Sequence, residues 1–128
     1  MSHGMNSPIP GILAANCSGL EISTSAEVLE SHGRDWTRFR EPDPAAVVFP
    51  RDAAAVVELV KVSAENGIPL VPSGGRTGLS GGALASSGEV VVSFDRMRKI
   101  LDFDPVDRTV TVQAGVVTGQ LQAFAREQ

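Results

Sequence analysis

The residues whose types and spacing are best suited to chemistry form a glycine-rich segment over positions 70–82. It reads Leu-Val-Pro-Ser-Gly-Gly-Arg-Thr-Gly-Leu-Ser-Gly-Gly, and five of its last nine residues are glycines. Glycine has no side chain, so the backbone N–H groups around it can come close to a ligand. Arg76 is the only charged residue of the segment. A loop that exposes many N–H groups suits an anion, and this composition therefore favours phosphate binding.

The segment matches neither of two well-known nucleotide-binding loops. A Walker A loop needs a lysine followed by serine or threonine, and no lysine lies between Lys61 and Lys99. A Rossmann fingerprint needs two glycines separated by one residue, and the segment contains no such pair. Phosphate binding would therefore rest chiefly on backbone N–H groups. A flexible turn between two strands would have a similar composition, and this alternative stays open at this point.

The elements that must position this loop begin with a strand and a helix. Residues 45–49 form an apolar run of the length expected for a buried strand. The next helix is predicted over Ala53–Asn66, with Asp52 as its N-cap and Gly67 at its end. Apolar or small residues at helical spacing predict its inner face, which comprises Val56, Leu59, Val60, Ser63 and Ala64.

A second strand then leads directly into the glycine-rich loop. Leu70-Val71 form this strand, and Pro72 is expected to close it because proline has no N–H to continue a ladder. A strand–helix–strand unit of this kind predicts parallel strands and a right-handed crossover. The loop thus follows the carboxyl end of a parallel strand, where open α/β sheets usually bind ligands. Position and composition both favour a phosphate site.

Two helices are predicted before the first strand. A short one lies near residues 12–17, and a second begins with a capping box at Thr24 and ends at Gly33 in the left-handed conformation. The cluster Arg34-Asp35-Trp36 that follows is interpreted as packing and surface contacts. Residues 1–20 are treated as an N-terminal extension or short helix, and residues 21–128 as part of one domain.

After the loop the sequence predicts a third strand and then a hairpin. Residues 89–94 read as a third strand, and alternating residues at 99–103 and 109–113 predict a hairpin. Gly115 breaks the second hairpin strand and suggests a close approach of two backbones. Thr118 is expected to cap a last helix. Because no C-cap follows that helix, the chain is expected to be truncated at its C-terminus.

Composition excludes several function classes. The 128 residues suffice for one modest domain, and a net charge of −4 argues against a nucleic-acid surface. Apolar runs of about five residues are too short for a membrane span, and the N-terminus lacks a basic region typical of a signal peptide. Cys17 is the only cysteine, which fits a reducing compartment and predicts a cytoplasmic location. With only His3 and His32 beside it, no metal site is expected.

Four stretches, taken in order, resemble a known family. They are Val47-Val48-Phe49-Pro50, the helix with Val56 and Val60, residues 72–82 and residues 107–116. Together they resemble the first part of the FAD-binding domain of the vanillyl-alcohol oxidase and p-cresol methylhydroxylase superfamily. Within it, the chain is most similar to FAD-linked 2-hydroxyacid dehydrogenases of the bacterial D-2-hydroxyglutarate type. The resemblance covers roughly residues 20–128. It implies an α/β fold, with a small parallel sheet flanked by helices and leading into the start of an antiparallel subdomain.

The resemblance also implies which residues contact the cofactor. FAD would be held through its pyrophosphate by the loop and through its flavin side by two later residues, and the expected set is Pro72, Ser73, Gly74, Gly75, Arg76, Thr77, Gly78, Leu79, Ser80, Ala114 and Gly115. Some relatives attach FAD to a histidine directly after the Gly-Gly pair. Arg76 stands at that position here, so FAD is expected to be non-covalent. Arg76 would either offset phosphate charge or face solvent.

The implied activity is oxidation of a D-2-hydroxyacid to the 2-oxoacid. D-2-hydroxyglutarate is the favoured substrate, with D-lactate or glycolate as the alternative. The implied partners are this small-molecule substrate and an electron-transfer acceptor, and a homodimer is considered as well. The family's catalytic residues lie in later parts of the protein, so none is assigned here and this chain alone is expected to be inactive. Two rival hypotheses are a non-catalytic fragment that does not hold FAD and an unrelated phosphate-binding module.

Overall fold

The computed structural model describes residues 6–128, and within these residues it contains four helices and six strands. Residues 1–5, which include His3 and the start of the expected N-terminal extension, lie outside the described part. The elements in chain order are α1 (Ile9–Asn16), β1 (Glu21–Ser23), α2 (Ala26–His32), β2 (Ala46–Phe49), α3 (Ala53–Asn66), β3 (Leu70–Ser73), β4 (Val90–Ser93), β5 (Ile100–Asp104), β6 (Thr109–Val112) and α4 (Thr118–Glu127).

Four strands form a mixed sheet in the order β1-β2-β4-β3. Strands β2 and β3 run parallel, as predicted. The third strand, β4, is parallel to both and lies between them, so the two strands that α3 connects are not neighbours. β1 runs antiparallel to β2 and was not predicted. It has only three half-buried residues, too few to show an alternating pattern. The handedness of the crossover stays a prediction.

Helices cover both faces of this sheet, which explains why its central strands are continuously apolar. Every residue of β2 and of β4 is buried. On one face Val48 and Val90 pack with Leu13 of α1 and Leu59 of α3. On the other face, Val47 and the ring of Phe49 belong to a second cluster that includes residues of α2. Successive side chains of β2 thus alternate between two cores.

The helix α3 has the predicted limits and caps. The Asp52 carboxylate accepts a hydrogen bond from the Ala55 backbone N–H at 2.8 Å. Gly67 adopts the left-handed conformation with φ of 64° and ends the helix. Leu59 and Ser63 are buried as expected, but the predicted inner residue Val60 is 50% exposed. Val60 follows Leu59 by about 100° of helical rotation, which takes its side chain off the buried stripe.

The structure contradicts three predicted helix caps. Ser25, not Thr24, caps α2 and accepts a hydrogen bond from the Val28 backbone N–H at 3.4 Å. Gly33 has φ of −76°, so it is not left-handed. Its lack of a side chain is explained by packing, because a Cβ would lie 2.7 Å from the Leu29 carbonyl oxygen. Thr118 is the first residue of α4 and does not act as its cap.

The strand β3 continues through Pro72 instead of ending there. Pro72 is in register with Val92, and Ser73 with Ser93. β3 is an edge strand in the described sheet, and proline is tolerated at an edge when its nitrogen faces away from the neighbouring strand. The strand therefore ends at Ser73, two residues after the predicted last residue Val71.

The strands β5 and β6 form the predicted hairpin as a separate antiparallel sheet. Its turn is closed by the Asp104 carboxylate, which accepts hydrogen bonds from the backbone N–H groups of Val106 and Asp107 at 2.8 and 3.0 Å. Phe124 of α4 packs edge-on against Phe103 at 5.6 Å. None of the helices found in residues 6–128 combines the length and the apolar character that crossing a bilayer requires.

Candidate ligand-binding cleft

A cleft of about 520 Å³ opens where three segments meet: the loop after β3, the turn after β4 and the segment after β6. Its lining comprises Gly74, Gly75, Arg76, Thr77, Asp95, Arg98, Ala114, Gly115, Val116, Val117 and Thr118. Six of the eleven residues predicted to contact the cofactor are in this set. The other five predicted residues, Pro72, Ser73, Gly78, Leu79 and Ser80, do not line the cleft.

Three glycines of the loop are not explained by the conformation or packing of the protein itself. Gly74, Gly75 and Gly78 all lie outside the left-handed region, so another residue could adopt their backbone conformation. A Cβ built on any of the three would meet no atom within 4 Å among the described residues. Side chains at these positions would instead project into open space. That space is what a ligand in close contact with the backbone would require.

Gly115 is different, because the protein's own backbone requires it. Its N–H donates a hydrogen bond to the Met97 carbonyl at 2.9 Å. A Cβ there would lie 1.9 Å from the Phe94 carbonyl oxygen and 2.8 Å from that of Met97. The close approach predicted for Gly115 is confirmed. It fixes the segment after β6 against the turn after β4 and so sets one wall of the cleft.

The far end of the loop is held by the segment that follows α2. The Trp36 backbone N–H donates a hydrogen bond to the Gly78 carbonyl at 3.0 Å. Asp35 is 3% exposed, and its carboxylate accepts hydrogen bonds from the backbone N–H and the hydroxyl of Thr37. Asp35 therefore packs inside, while the Trp36 side chain is 65% exposed. This agrees with the packing and surface roles expected for the cluster.

Ser73, at the start of the loop, is fully buried. Its carbonyl accepts a hydrogen bond from the Phe94 N–H at 3.2 Å, which continues the pairing of β3 with β4. Its hydroxyl oxygen has no hydrogen-bond partner among the described residues and is shielded from solvent. Contact between this hydroxyl and a phosphate stays a prediction, and it would require the loop to shift.

A group of charged side chains surrounds Asp95 beside the loop. Its Oδ2 lies 3.0 Å from His32 Nε2 and 3.5 Å from Arg76 Nη1, and its Oδ1 lies 3.8 Å from Arg98 Nη2. Burial by itself would raise the pKa of Asp95. The hydrogen bond from His32 and the charges of Arg76, His32 and Arg98 outweigh it, so the pKa lies below its ordinary value of 3.8. Asp95 is thus a carboxylate held by cations at the edge of the cleft.

Arg76 has a strained backbone that this carboxylate can stabilise. Its φ is 61°, in the left-handed region, which costs a residue other than glycine about 1–2 kcal/mol. The pairing with Asp95 shows that Arg76 does not simply face solvent. Asp95 and Arg98 were not predicted as part of a site. Their position directly after a strand parallel to β3 is the signal that could have found them.

The lowered pKa of Asp95 predicts how stability changes in acid. A carboxyl whose pKa is depressed by folding stabilises the protein above pH 3.8, and this stabilisation is lost as the pH falls through the folded-state pKa. We therefore expect Asp95→Asn to lose less stability than the unmodified chain between neutral pH and strong acid. Urea unfolding at a series of pH values measures this. Asp102→Asn, at an exposed position of β5, is the control and should follow the unmodified chain. Parallel curves for Asp95→Asn and the unmodified chain would contradict the prediction.

Comparisons with known proteins identify relatives of this chain. A D-2-hydroxyglutarate dehydrogenase from Stutzerimonas stutzeri is 50% identical over 107 residues, which are 84% of this chain and 23% of that protein. A protein from Danio rerio named probable mitochondrial D-lactate dehydrogenase is 37% identical over 106 residues, 83% of this chain and 21% of its own length. The chain thus spans less than a quarter of the length of these relatives.

The structure of p-cresol methylhydroxylase with bound substrate superposes with a TM-score of 0.72 at 21% identity, over 99% of this chain and 25% of that one. This likeness confirms the fold. The family model described as FAD binding domain matches residues 44–128, which contain the loop, the turn after β4 and the segment after β6. The match overturns the hypothesis of an unrelated phosphate-binding module. The chain therefore belongs to the FAD binding domain family, and FAD is its cofactor.

Proposed function

We propose that this chain is the cofactor-binding portion of a dehydrogenase that oxidises a D-2-hydroxyacid to the 2-oxoacid. The observation that carries the proposal is the set of glycines at 74, 75 and 78, which neither backbone conformation nor internal packing explains. Bare backbone beside open space is what a dinucleotide phosphate needs for close approach. The family match supports FAD as the dinucleotide.

In this proposal the chain's own residues bind and orient the cofactor. Backbone N–H groups of Gly74, Gly75 and Thr77 would donate to the pyrophosphate, since these residues lie in the loop that lines the cleft. Ala114 and Gly115 also line the cleft and would lie near the flavin, as the family resemblance implies. Bound FAD would accept the two electrons and the hydrogen that leave the substrate carbon. We assign no catalytic residue within this chain.

We further propose that FAD is held without a covalent bond. The sequence contains no tyrosine, and its one cysteine, Cys17, is buried in the core with Leu13. Within residues 6–128 the only histidine is His32, whose ring nitrogens lie 2.9 Å from the Ser31 hydroxyl and 3.0 Å from Asp95. These described side chains are therefore poorly placed to attack the flavin. Acid precipitation of the loaded protein should leave FAD in the supernatant.

The substrate is proposed from the relatives. The chain is 50% identical to a D-2-hydroxyglutarate dehydrogenase and 37% identical to the D-lactate dehydrogenase relative, so D-2-hydroxyglutarate is favoured. D-lactate or glycolate is the alternative. An electron-transfer acceptor, a homodimer and a cytoplasmic location stay predictions. In a chain extended to the length of its relatives and loaded with FAD, D-2-hydroxyglutarate should bleach the flavin faster than D-lactate or glycolate under anaerobic conditions.

The test of the cofactor site is a titration of the purified chain with FAD, followed by desalting and a visible absorbance spectrum. We expect a perturbed flavin spectrum that remains with the protein. Tryptophan fluorescence gives a second readout, because Trp36 is the only tryptophan of the sequence. Its backbone N–H is hydrogen-bonded to the loop at the Gly78 carbonyl. A colourless short chain with a yellow extended chain would support the rival fragment hypothesis. If both were colourless, the proposal would be overturned.

A further inference from the structure

We infer that Asp95 is a positioning residue, which holds Arg76 and thereby keeps the glycine-rich loop in the shape that receives phosphate. The inference rests on the proposed FAD site. Asp95 belongs to the turn after β4 and is not part of the loop. Its side chain is only 21% exposed, although it lines the open cleft. A single carboxylate thus joins the loop to the turn after β4, a neighbouring part of the fold.

The contacts of Asp95 link the loop to the buried sheet. One oxygen, Oδ2, receives His32 Nε2 at 3.0 Å and Arg76 Nη1 at 3.5 Å. His32 is itself anchored, since its ring packs edge-on against Phe49 in the core at 5.3 Å. Asp95 also has a backbone anchor, because its N–H donates to the Ser93 hydroxyl at 3.3 Å. The chain of contacts therefore runs from the buried sheet to the one residue of the loop that has an unfavourable φ.

The charge of Asp95 allows a positioning role to be distinguished from a purely electrostatic one. Two guanidinium groups, of Arg76 and Arg98, stand against one carboxylate, so the cleft has an excess of positive charge. Replacing Asp95 by asparagine removes a negative charge beside the phosphate position. By electrostatics alone this change should tighten the binding of an anion. If Asp95 positions the loop, the same change should weaken binding. The two explanations predict opposite signs.

The binding experiment compares the affinities of FAD and ADP for the unmodified chain and for Asp95→Asn. We expect about tenfold weaker binding of both ligands to the variant. Asp95→Glu should recover part of the loss because it restores the carboxylate. The control is Glu65→Gln, which removes the same charge at an exposed site near the end of α3, away from the carboxyl end of β3. Tighter binding of ADP to Asp95→Asn would overturn the inference.

A double-mutant cycle tests whether Asp95 acts through Arg76. Arg76→Gly removes the guanidinium and also relieves the strained φ. In that background, Asp95→Asn should no longer weaken FAD binding, because the contact through which Asp95 acts is already gone and only the loss of its negative charge remains. An undiminished tenfold effect in the Arg76→Gly chain would contradict the positioning role. Thermal unfolding of each variant verifies that the protein is folded.

A ligand-free measurement separates failure of this inference from failure of the proposed function. The Trp36 amide, bonded to the Gly78 carbonyl, reports whether the loop stays docked. Its hydrogen exchange should be about tenfold faster in Asp95→Asn, while the Ile68 amide after α3 should be unchanged. If the unmodified chain bound neither FAD nor ADP, the proposed site would fail and this measurement would still judge the role of Asp95. An unchanged Trp36 rate would overturn it.

Discussion

Alanine in place of Gly115 is expected to destabilise the fold by about 3 kcal/mol or more. The new Cβ would lie 1.9 Å from the Phe94 carbonyl oxygen and 2.8 Å from the Met97 carbonyl oxygen. Both obstructing atoms belong to backbone, so no side chain can rotate to make room. Urea unfolding followed by circular dichroism measures the change in the free energy of unfolding.

The control for this variant is Gly119→Ala, within α4. A Cβ at Gly119 would meet no described atom within 4 Å, and alanine favours a helix over glycine by up to about 1 kcal/mol. The same substitution at two nearby glycines should therefore have effects of opposite sign. A Gly115→Ala chain as stable as the unmodified one would mean that the segment after β6 does not pack against Phe94.

The second large effect is expected on affinity and not on stability. Gly75→Val should weaken FAD binding by about 100-fold or more, because the side chain would fill space that the pyrophosphate needs. The free energy of unfolding should stay within about 0.5 kcal/mol of that of the unmodified chain, since the new Cβ meets nothing within 4 Å. Titration with FAD, monitored by the quenching of Trp36 fluorescence, measures the dissociation constant.

Gly11→Val provides the matched control for Gly75→Val. Gly11 lies on α1, and a Cβ there also meets no described atom within 4 Å. The control should keep full affinity for FAD. If Gly75→Val bound FAD as tightly as the control did, the loop would not be the pyrophosphate site, even if the family assignment stands.

Local signals allowed much of the scaffold to be predicted. Asp52 and Gly67 mark the ends of α3 because capping depends on neighbouring residues only. The continuous apolar runs at β2 and β4 identify strands that are covered on both faces. The position of the glycine-rich loop followed from β3, although the predicted end of that strand was two residues too early. In each case the sequence signal lies within a few neighbouring residues.

The parts that could not be predicted depend on contacts between distant residues. His32 and Asp95 are 63 residues apart, and only the placement of α2 beside the turn after β4 brings them together. Gly33 looked like a left-handed cap, but a Cβ there would meet not only the Leu29 carbonyl oxygen of its own helix but also the side chain of Pro44, eleven residues later. Patterns of residue type do not contain this information.

The course of β3 through Pro72 has a consequence for aggregation. The carbonyls of Pro69 and Ser73 accept hydrogen bonds from the N–H groups of Val90 in β4 and of Phe94 directly after it. Pro72 is out of phase with these two residues, so its nitrogen faces the edge of β3 that no described strand pairs. That nitrogen has no hydrogen to donate. A strand from another molecule would therefore lack one ladder bond at the middle of this edge, and edge-to-edge pairing is disfavoured. Pro72 thus protects β3, the strand that leads into the glycine-rich loop, from pairing with a strand of another molecule.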